Sequence, residues 1–292
     1  MSVGAIGARV RTHIGPYAMG LPGTAWLAIF FVVPLVTVLS VSLMTGNPVT
    51  GYALTWHFSE FWTVLRLYHE QFVHSFEYGV ISTVAALVIA YPMAYWIAFH
   101  GGAHKSTYLF LILLPFFVSF VIRTLAWQFI LSDQGLVLGN LKSAGIIPQS
   151  LHVLSTPFAV IAGLTYSALP YMALPLYVAL EKIDGRVVRA ANDLYANPAV
   201  AFTRVILPLS SSGIFAGILL VFVTNVGDYV NASILGGPGT TMVGNVIQTA
   251  YLQNLDYPTA SALSSILMVA MLIVIWMYAR TFGTEAVEEV VA

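Results

Sequence analysis

Long apolar windows, nearly empty of charge, alternate with polar connectors along this chain. They run from Thr24 to Leu43, about Tyr78 to Phe99, about Tyr108 to Leu131, about Thr156 to Leu180, about Pro208 to Val230 and about Ala260 to Tyr278. Each is close to the ~20 residues that an α-helix needs to cross the hydrocarbon core of a bilayer. None alternates residue by residue as the strands of a membrane barrel do, and only helices or closed barrels pair every backbone polar group inside lipid. The pattern therefore predicts an all-α membrane protein with six transmembrane helices. Glu77 and Lys105 mark the edges of the second window, because a charge at the bilayer centre costs about 2.5–3.5 kcal/mol on insertion scales.

Composition agrees. Of 292 residues, 59% are hydrophobic and 8% charged, against roughly a quarter charged in a soluble domain. Mean hydropathy is +0.86. The net charge of −1 offers no basic field for nucleic acid. Without cysteine, disulfides, thiolate chemistry and cysteine metal sites are excluded. Arg9, Arg11 and His13 precede the first window. That window is longer than the about 7–15 residues of a signal core, holds Pro34 and lacks a small-x-small cleavage site after it, so it reads as a retained span. Three regions follow: a cytoplasmic or interfacial leader, 1–23; a transmembrane domain, 24–280; and an acidic cytoplasmic tail, 281–292, with Glu285, Glu288 and Glu289. With the N-terminus inside, Arg9, Arg11, Lys105, Lys182, Arg186, Arg189, Arg204 and Arg280 fall on the cytoplasmic side and only Arg66 and Lys142 outside. The positive-inside rule thus places both termini in the cytoplasm. Trp26, Trp96, Tyr108, Trp127, Trp276 and Tyr278 flank window ends as interfacial anchors do.

The connectors differ. The outer one from Gly46 to Phe76 is long enough for a short surface helix. The cytoplasmic one, 181–207, is charged and patterned. Ile183, Val187, Val188, Ala190, Ala191 and Leu194 recur at helical spacing, Asp184 is placed to cap that helix, and Asn197-Pro198 breaks it before Ala199, Phe202, Val205 and Ile206 begin a second pattern. Two short helices here suit either a knob for a groove on another protein or an amphipathic segment on lipid headgroups.

Arg189-Ala190-Ala191-Asn192-Asp193-Leu194-Tyr195-Ala196-Asn197-Pro198, running on to Val205-Ile206-Leu207-Pro208, resembles the Glu-Ala-Ala loop of ATP-binding-cassette (ABC) importer permeases. Arg189 stands where that family has Glu, and Tyr195 where it has Gly. Leu114-Pro115 with Ile122-Arg123-Thr124-Leu125-Ala126-Trp127, Gly227-Asp228-Tyr229-Val230-Asn231, Leu235-Gly236-Gly237-Pro238 and Asn245-Val246-Ile247-Gln248 resemble the spermidine/putrescine-type branch. The resemblance implies the type I importer permease fold in a bacterial inner membrane. It implies a second permease, expected to be a different chain, two ATP-binding subunits and an extracytoplasmic substrate-binding protein as partners. ATP and magnesium would belong to the partner subunits, with no cofactor, metal or catalytic residue in this chain; no GxxxxGK[ST] run occurs in it. The loop would be the ATPase-coupling element, carried by Arg189, Ala190, Ala191, Asp193, Leu194, Tyr195, Ala196, Asn197 and Pro198.

Two charges fall inside the windows. On a continuous helix Arg123 would stand roughly 22 Å above Tyr108, and Asp228 roughly 30 Å above Pro208, near the outer edge. Thr224, Asn225 and Asn231 would share a helix face with Asp228. An acid with aromatic neighbours suits a cationic solute, so Asp228, Tyr229, Trp127, Arg123, Asn225 and Thr224 are the candidate pathway residues. Arg123 alone would favour an anion, or pair with Asp228. His100 and His104, separated by Gly101-Gly102, make a poor metal site. The function expected is passage of a small cation, most plainly a polyamine, driven by ATP on partners. The alternatives are a permease for thiamine, amino acids, iron or sulfate, or an ion-coupled secondary transporter.

Overall fold

The computed structural model describes residues 20–193 and 197–282. Helix α1, Gly20–Val41, carries a π-turn at Ala28–Val32 just before Pro34, and none of its apolar stretch is buried. A β-hairpin follows, β1 Met44–Asn47 antiparallel to β2 Gly51–Leu54, in register Met44 to Leu54. Asn47 Oδ1 accepts from the N–H groups of Val49 and Thr50, at 3.0 and 2.8 Å, and so closes the turn. The outer connector then forms a short helix, α2, Ser59–Leu67.

Helix α3, His69–His100, begins well before the charge-free window and carries Glu70 and Glu77. A charge ends a hydrophobic window without ending a helix. The third window is not one helix. Lys105–Leu113 (α4) passes through a 3-10 turn at Leu114–Phe117, and Phe120–Leu131 (α5) resumes with its axis turned by 91°. Pro115 sits inside the turn and cannot donate to a continuing helix. Leu138–Ser143 (α6) lies in the next connector, and Pro157–Glu181 (α7) begins on a Thr156 cap.

The connector 181–207 and the residues just after it hold α8, Gly185–Asp193, and α9, Ala199–Leu209, which contains a π-turn at Phe202–Ile206. Asp184 caps α8 through the Arg186 N–H at 2.8 Å, and Asn197 Oδ1 caps the next turn through Ala199 and Val200 at 2.7 and 3.2 Å. The chain bends by 65° between α9 and α10, Ser211–Val226. Ser210 lies at the bend, fully buried, sharing a 2.8 Å hydrogen bond with the Tyr91 hydroxyl and donating to Leu207 O at 3.2 Å. Helices α11, Val230–Leu235, α12, Val243–Gln248, and α13, Tyr257–Phe282, complete the chain.

Two units divide these elements: 1–65 with 250–267, and 66–249 with 268–292. The second unit is built on α3, α7 and α10. Lipid gives helices no hydrophobic gain on pairing, so close approach of small residues is what holds them. Ser75, Gly79, Ser82, Ala86, Ala90 and Ala94 form one buried stripe along α3. Gly213 and Gly217 let α10 lie on α7: a Cβ at Gly213 would meet Pro175 O at 2.6 Å, and one at Gly217 would meet Met172 Sδ at 2.7 Å. Met172, Leu176, Leu180 and Val221 fill the core between them. The connector 132–156 is tied by Asp133, which accepts from Lys142 Nζ at 2.7 Å and from His152 Nδ1. Lys142 is buried, with 5% of its side chain exposed.

Two expectations follow. Gly213→Val drives a branched side chain into the α7 backbone and should cost about 1–3 kcal/mol, read as a lower midpoint of thermal unfolding in detergent. The hydrogen bond from Lys142, then that from His152, holds the Asp133 carboxyl below its ordinary value. A depressed carboxylate stabilises at every pH above its unfolded value and loses that contribution as pH falls through the folded one. Hydrogen exchange across 133–152 should be slower than in Asp133→Asn at pH 7, and the two should converge in acid below the ordinary carboxylate range.

Candidate functional site

The segment after α10 does not continue the helix. Gly227 ends it, and the chain turns through Asp228 and Tyr229 into α11. Asp228 is thus a capping residue and not the top of a fifth helix. Its Oδ1 accepts from the Asn231 N–H at 2.8 Å, and its Oδ2 from Asn231 Nδ2 at 3.0 Å. Asn231 is 1% exposed and is the centre of the site. Its Nδ2 also reaches Ser167 Oγ on α7 at 3.5 Å, and its Oδ1 accepts from Thr124 Oγ1 on α5 at 3.2 Å. One amide therefore joins α5, α7 and α11 and holds the carboxylate.

The shared helix face expected for Thr224, Asn225, Asp228 and Asn231 is not formed, because the helix stops between them. Asn225 is buried against α3, donating from Nδ2 to Ser82 Oγ at 2.8 Å. Thr224 is exposed and folds its hydroxyl back onto Leu220 O and Val221 O, both at 2.9 Å. Tyr229 presents an exposed ring, and its carbonyl accepts from Asn245 Nδ2 at 2.9 Å. Asn245 Nδ2 also donates to Ser233 Oγ at 2.6 Å, its Oδ1 accepts from the Met242 N–H at 2.9 Å, and the Val243 N–H donates to Ser75 Oγ at 2.8 Å. The whole segment from Gly227 to α12 is pinned to the three-helix core.

The 91° turn also removes the height expected for Arg123 along one axis. Arg123 makes no ion pair with Asp228 among the described residues. Its guanidinium lies between two rings, 5.7 Å from the centroid of Phe116 and 5.6 Å from that of Phe120, and its Nε and Nη1 are buried with no hydrogen-bond partner. Trp127 packs on Tyr166, centroids 5.4 Å apart. Tyr166 in turn borders an apolar cavity of about 620 Å³ walled by Pro92, Trp96, Tyr108, Pro115 and Pro170. Trp96 and Tyr108 meet edge-to-face on its wall, 5.0 Å apart.

In the loop 181–207, Arg189, Ala190 and Asp193 are exposed on α8, and Ala191 is half-buried. Ile183, Val188 and Phe202 pack on the core cluster, so the loop is seated on the helices beneath it. Asn197 and Pro198 begin the following helical turn. Leu194, Tyr195 and Ala196 lie outside the described residues. The start of α4 and the end of α7 are joined next to this loop by Lys105 and Glu181 at 2.8 Å.

Sequence reasoning passed over Thr124, Ser167, Ser82 and Ser75, the uncharged partners that place the asparagines. Their signal was present for Ser75 and Ser82, which fall on the small-residue stripe of α3. For Thr124 and Ser167 it was only that they are polar groups inside apolar windows. Asn231→Ala should remove the side-chain bonds to Thr124, Ser167 and Asp228 Oδ2 while keeping the backbone N–H on Asp228 Oδ1, at about 1–3 kcal/mol for the buried bonds lost. The check is thermal stability in detergent, where Thr224→Val, whose exposed hydroxyl bonds only to carbonyls of its own helix, should change little.

The chain matches the family model described as binding-protein-dependent transport system inner membrane component over residues 78–281. It is 37% identical over 257 residues to a spermidine/putrescine transport system permease protein, PotB, of Haemophilus influenzae, covering 88% of this chain and 90% of that one. Against the PotB of Escherichia coli K12 identity is 34% over 264 residues, 89% and 96% of the two chains. A bacterial ABC transporter that imports the acidic polysaccharide alginate has the same fold, with TM-score 0.70 and 19% identity, over 95% of this chain and 98% of the other. A helical core of membrane-spanning length, a patterned loop seated beneath it and these matches agree: the chain belongs to the family of binding-protein-dependent transport system inner membrane components, the permeases of ABC importers.

Proposed function

We propose that this chain forms half of the translocation pathway of an ATP-driven importer for a small cationic solute, a polyamine such as spermidine or putrescine. Both termini face the cytoplasm in this reading, which the distribution of lysine and arginine supports. A second, different permease completes the pathway. Two ATP-hydrolysing subunits, which carry ATP and magnesium, receive the loop from Arg189 to Pro198, and a solute-binding protein docks outside. The observation that carries the cationic reading is the Asp228 carboxylate, fixed by Asn231 at the end of α10 and paired with no basic residue among the described residues. A carboxylate has lone pairs beyond those two bonds for an ammonium group, and the exposed Tyr229 ring stands beside it. The names of the PotB relatives support the same solute class. In the loop, the exposed Arg189, Ala190 and Asp193 on a helix seated from below support a docking role.

A second reading, an anionic solute, rests on Arg123, whose Nε and Nη1 are buried with no hydrogen-bond partner among the described residues. The experiment is ATPase activity of the co-purified complex in nanodiscs, with its binding protein and with spermidine, putrescine, thiamine and sulfate in turn. Polyamines should stimulate and sulfate should not. Asp228→Asn should lower the polyamine response about tenfold, as expected when a charge-assisted contact worth about 1.5 kcal/mol is lost. Sulfate stimulation that survives Asp228→Asn and fails in Arg123→Gln would replace the cationic reading with the anionic one.

A further inference from the structure

The first unit contains a group of side chains that the pathway does not use. Tyr52 of β2, Tyr251 of the π-turn Thr249–Gln253 and Tyr257 at the start of α13 converge, with Tyr257 central: its ring centroid is 5.3 Å from that of Tyr52 and 5.0 Å from that of Tyr251. All three line one cavity of about 300 Å³, together with Thr37, Val38, Val41, Met44 and Ser261. That size is at the lower end of the range for small-ligand sites.

The backbone beside them is held in place. The Tyr52 hydroxyl donates to Leu255 O. Leu255 has φ +53°, a left-handed conformation that a leucine adopts only under constraint. The Asp256 N–H donates to Ala250 O at 2.8 Å, closing the turn that brings Tyr251 to Tyr257. Asp256 Oδ1 accepts from the Thr259 N–H at 3.2 Å, and its Oδ2 has no hydrogen bond among the described residues. Glu60 joins the same place, accepting from Thr259 Oγ1 at 3.0 Å. The described residues of this unit, 20–65 and 250–267, hold Glu60 and Asp256 and no lysine or arginine. A tyrosine-lined cavity with Asp256 next to Tyr257 in the chain, in a unit whose described residues hold no lysine or arginine, is complementary to a positive charge.

We propose that Tyr52, Tyr251 and Tyr257, with Asp256 beside them, form a binding site for a primary ammonium group on a short alkyl chain. The ring faces supply the attraction for the cation, the carboxylate supplies its counter-charge, and Val38, Val41 and Met44 accommodate the chain. Two sources carry this chemistry: a free alkylamine, or the aminoethyl headgroup of phosphatidylethanolamine. The proposal uses none of the residues around Asp228 and does not depend on which solute the pathway carries.

The natural chain has no cysteine, so Met44→Cys places a single thiol on this chain at the cavity wall. The complete complex is placed in nanodiscs of phosphatidylglycerol, with or without phosphatidylethanolamine and without binding protein. The rate of maleimide labelling of this chain is followed by mass spectrometry, with n-butylammonium as probe and n-butanol as its uncharged match. In phosphatidylglycerol, butylammonium should slow labelling about fivefold. Butanol should not, Tyr257→Phe should keep the protection, and Tyr257→Leu and Asp256→Asn should lose it. Protection already complete in phosphatidylethanolamine, with none added by butylammonium, assigns the site to the lipid; protection by butylammonium in both lipids assigns it to the free amine. Equal labelling under all conditions overturns the proposal, as does equal protection by butanol. A thiol at 44 that stays unreactive while Val49→Cys at the hairpin tip reacts overturns it too, because the cavity is then closed. Because labelling reads this cavity without turnover, it fails or succeeds independently of the polyamine-stimulated ATPase.

Discussion

Close approach of backbones is what the rest of this molecule depends on. In water, burying leucine drives helices together; in lipid the surroundings are as apolar as the side chain, and contact must come from dispersion and from polar pairs. The small-residue stripe of α3 and the Gly213 and Gly217 face of α10 allow that contact. Without them α10 would stand away from α7, and Asn225 would not reach Ser82. The polar site is therefore secondary to the packing: its hydrogen bonds have workable lengths because glycine and alanine set the helix spacing.

Within that frame, polar groups are distributed unevenly. Asn231 satisfies three neighbours at once and is almost inaccessible, whereas Arg123 is held by two aromatic faces and has nitrogens without acceptors. A guanidinium cannot shed its proton to escape an apolar setting, so the rings are its compensation. The backbone breaks follow the same accounting. At Leu114–Phe117 a proline ends one helix and a turn of two non-helical residues starts another. At Ser210 a hydroxyl pair with Tyr91 fills the bend. Irregular backbone at membrane depth is tolerated where such groups take over the lost bonds.

Much of the architecture was legible because it rests on local chemistry. Hydropathy located the apolar segments, Asp184 marked a helix start in the loop 181–207 by its side-chain acceptor, and Asn197-Pro198 marked the break after it, although the capping role of Asn197 was not read. The 91° and 65° bends were not legible. Pro115 and Pro208 were visible, yet proline is also found within the straight span α7, at Pro170 and Pro175. Whether a proline breaks or is absorbed depends on what packs behind it, and that is tertiary information. Asp228 was identified as a site residue, but its surroundings were drawn on a helix that Gly227 ends. Asn231 was placed among its neighbours, while Ser167 and Thr124 were not, since pairing across three helices leaves no periodic trace along the chain.

The same bends give the functional regions their connection. From the exposed face of α8 the chain passes through α9, turns at Ser210, and continues as the single helix α10 to Gly227 and Asp228. Between the capped start of α9 and the carboxylate lie the π-turn at Phe202–Ile206, the bend at Ser210, which is buried against α3, and the helix end at Gly227. Phe202 also meets Tyr91 edge-on at 5.6 Å, so one tyrosine touches both the π-turn and the bend. The loop and the acid thus lie along one stretch of chain whose bend is held on α3 by Tyr91.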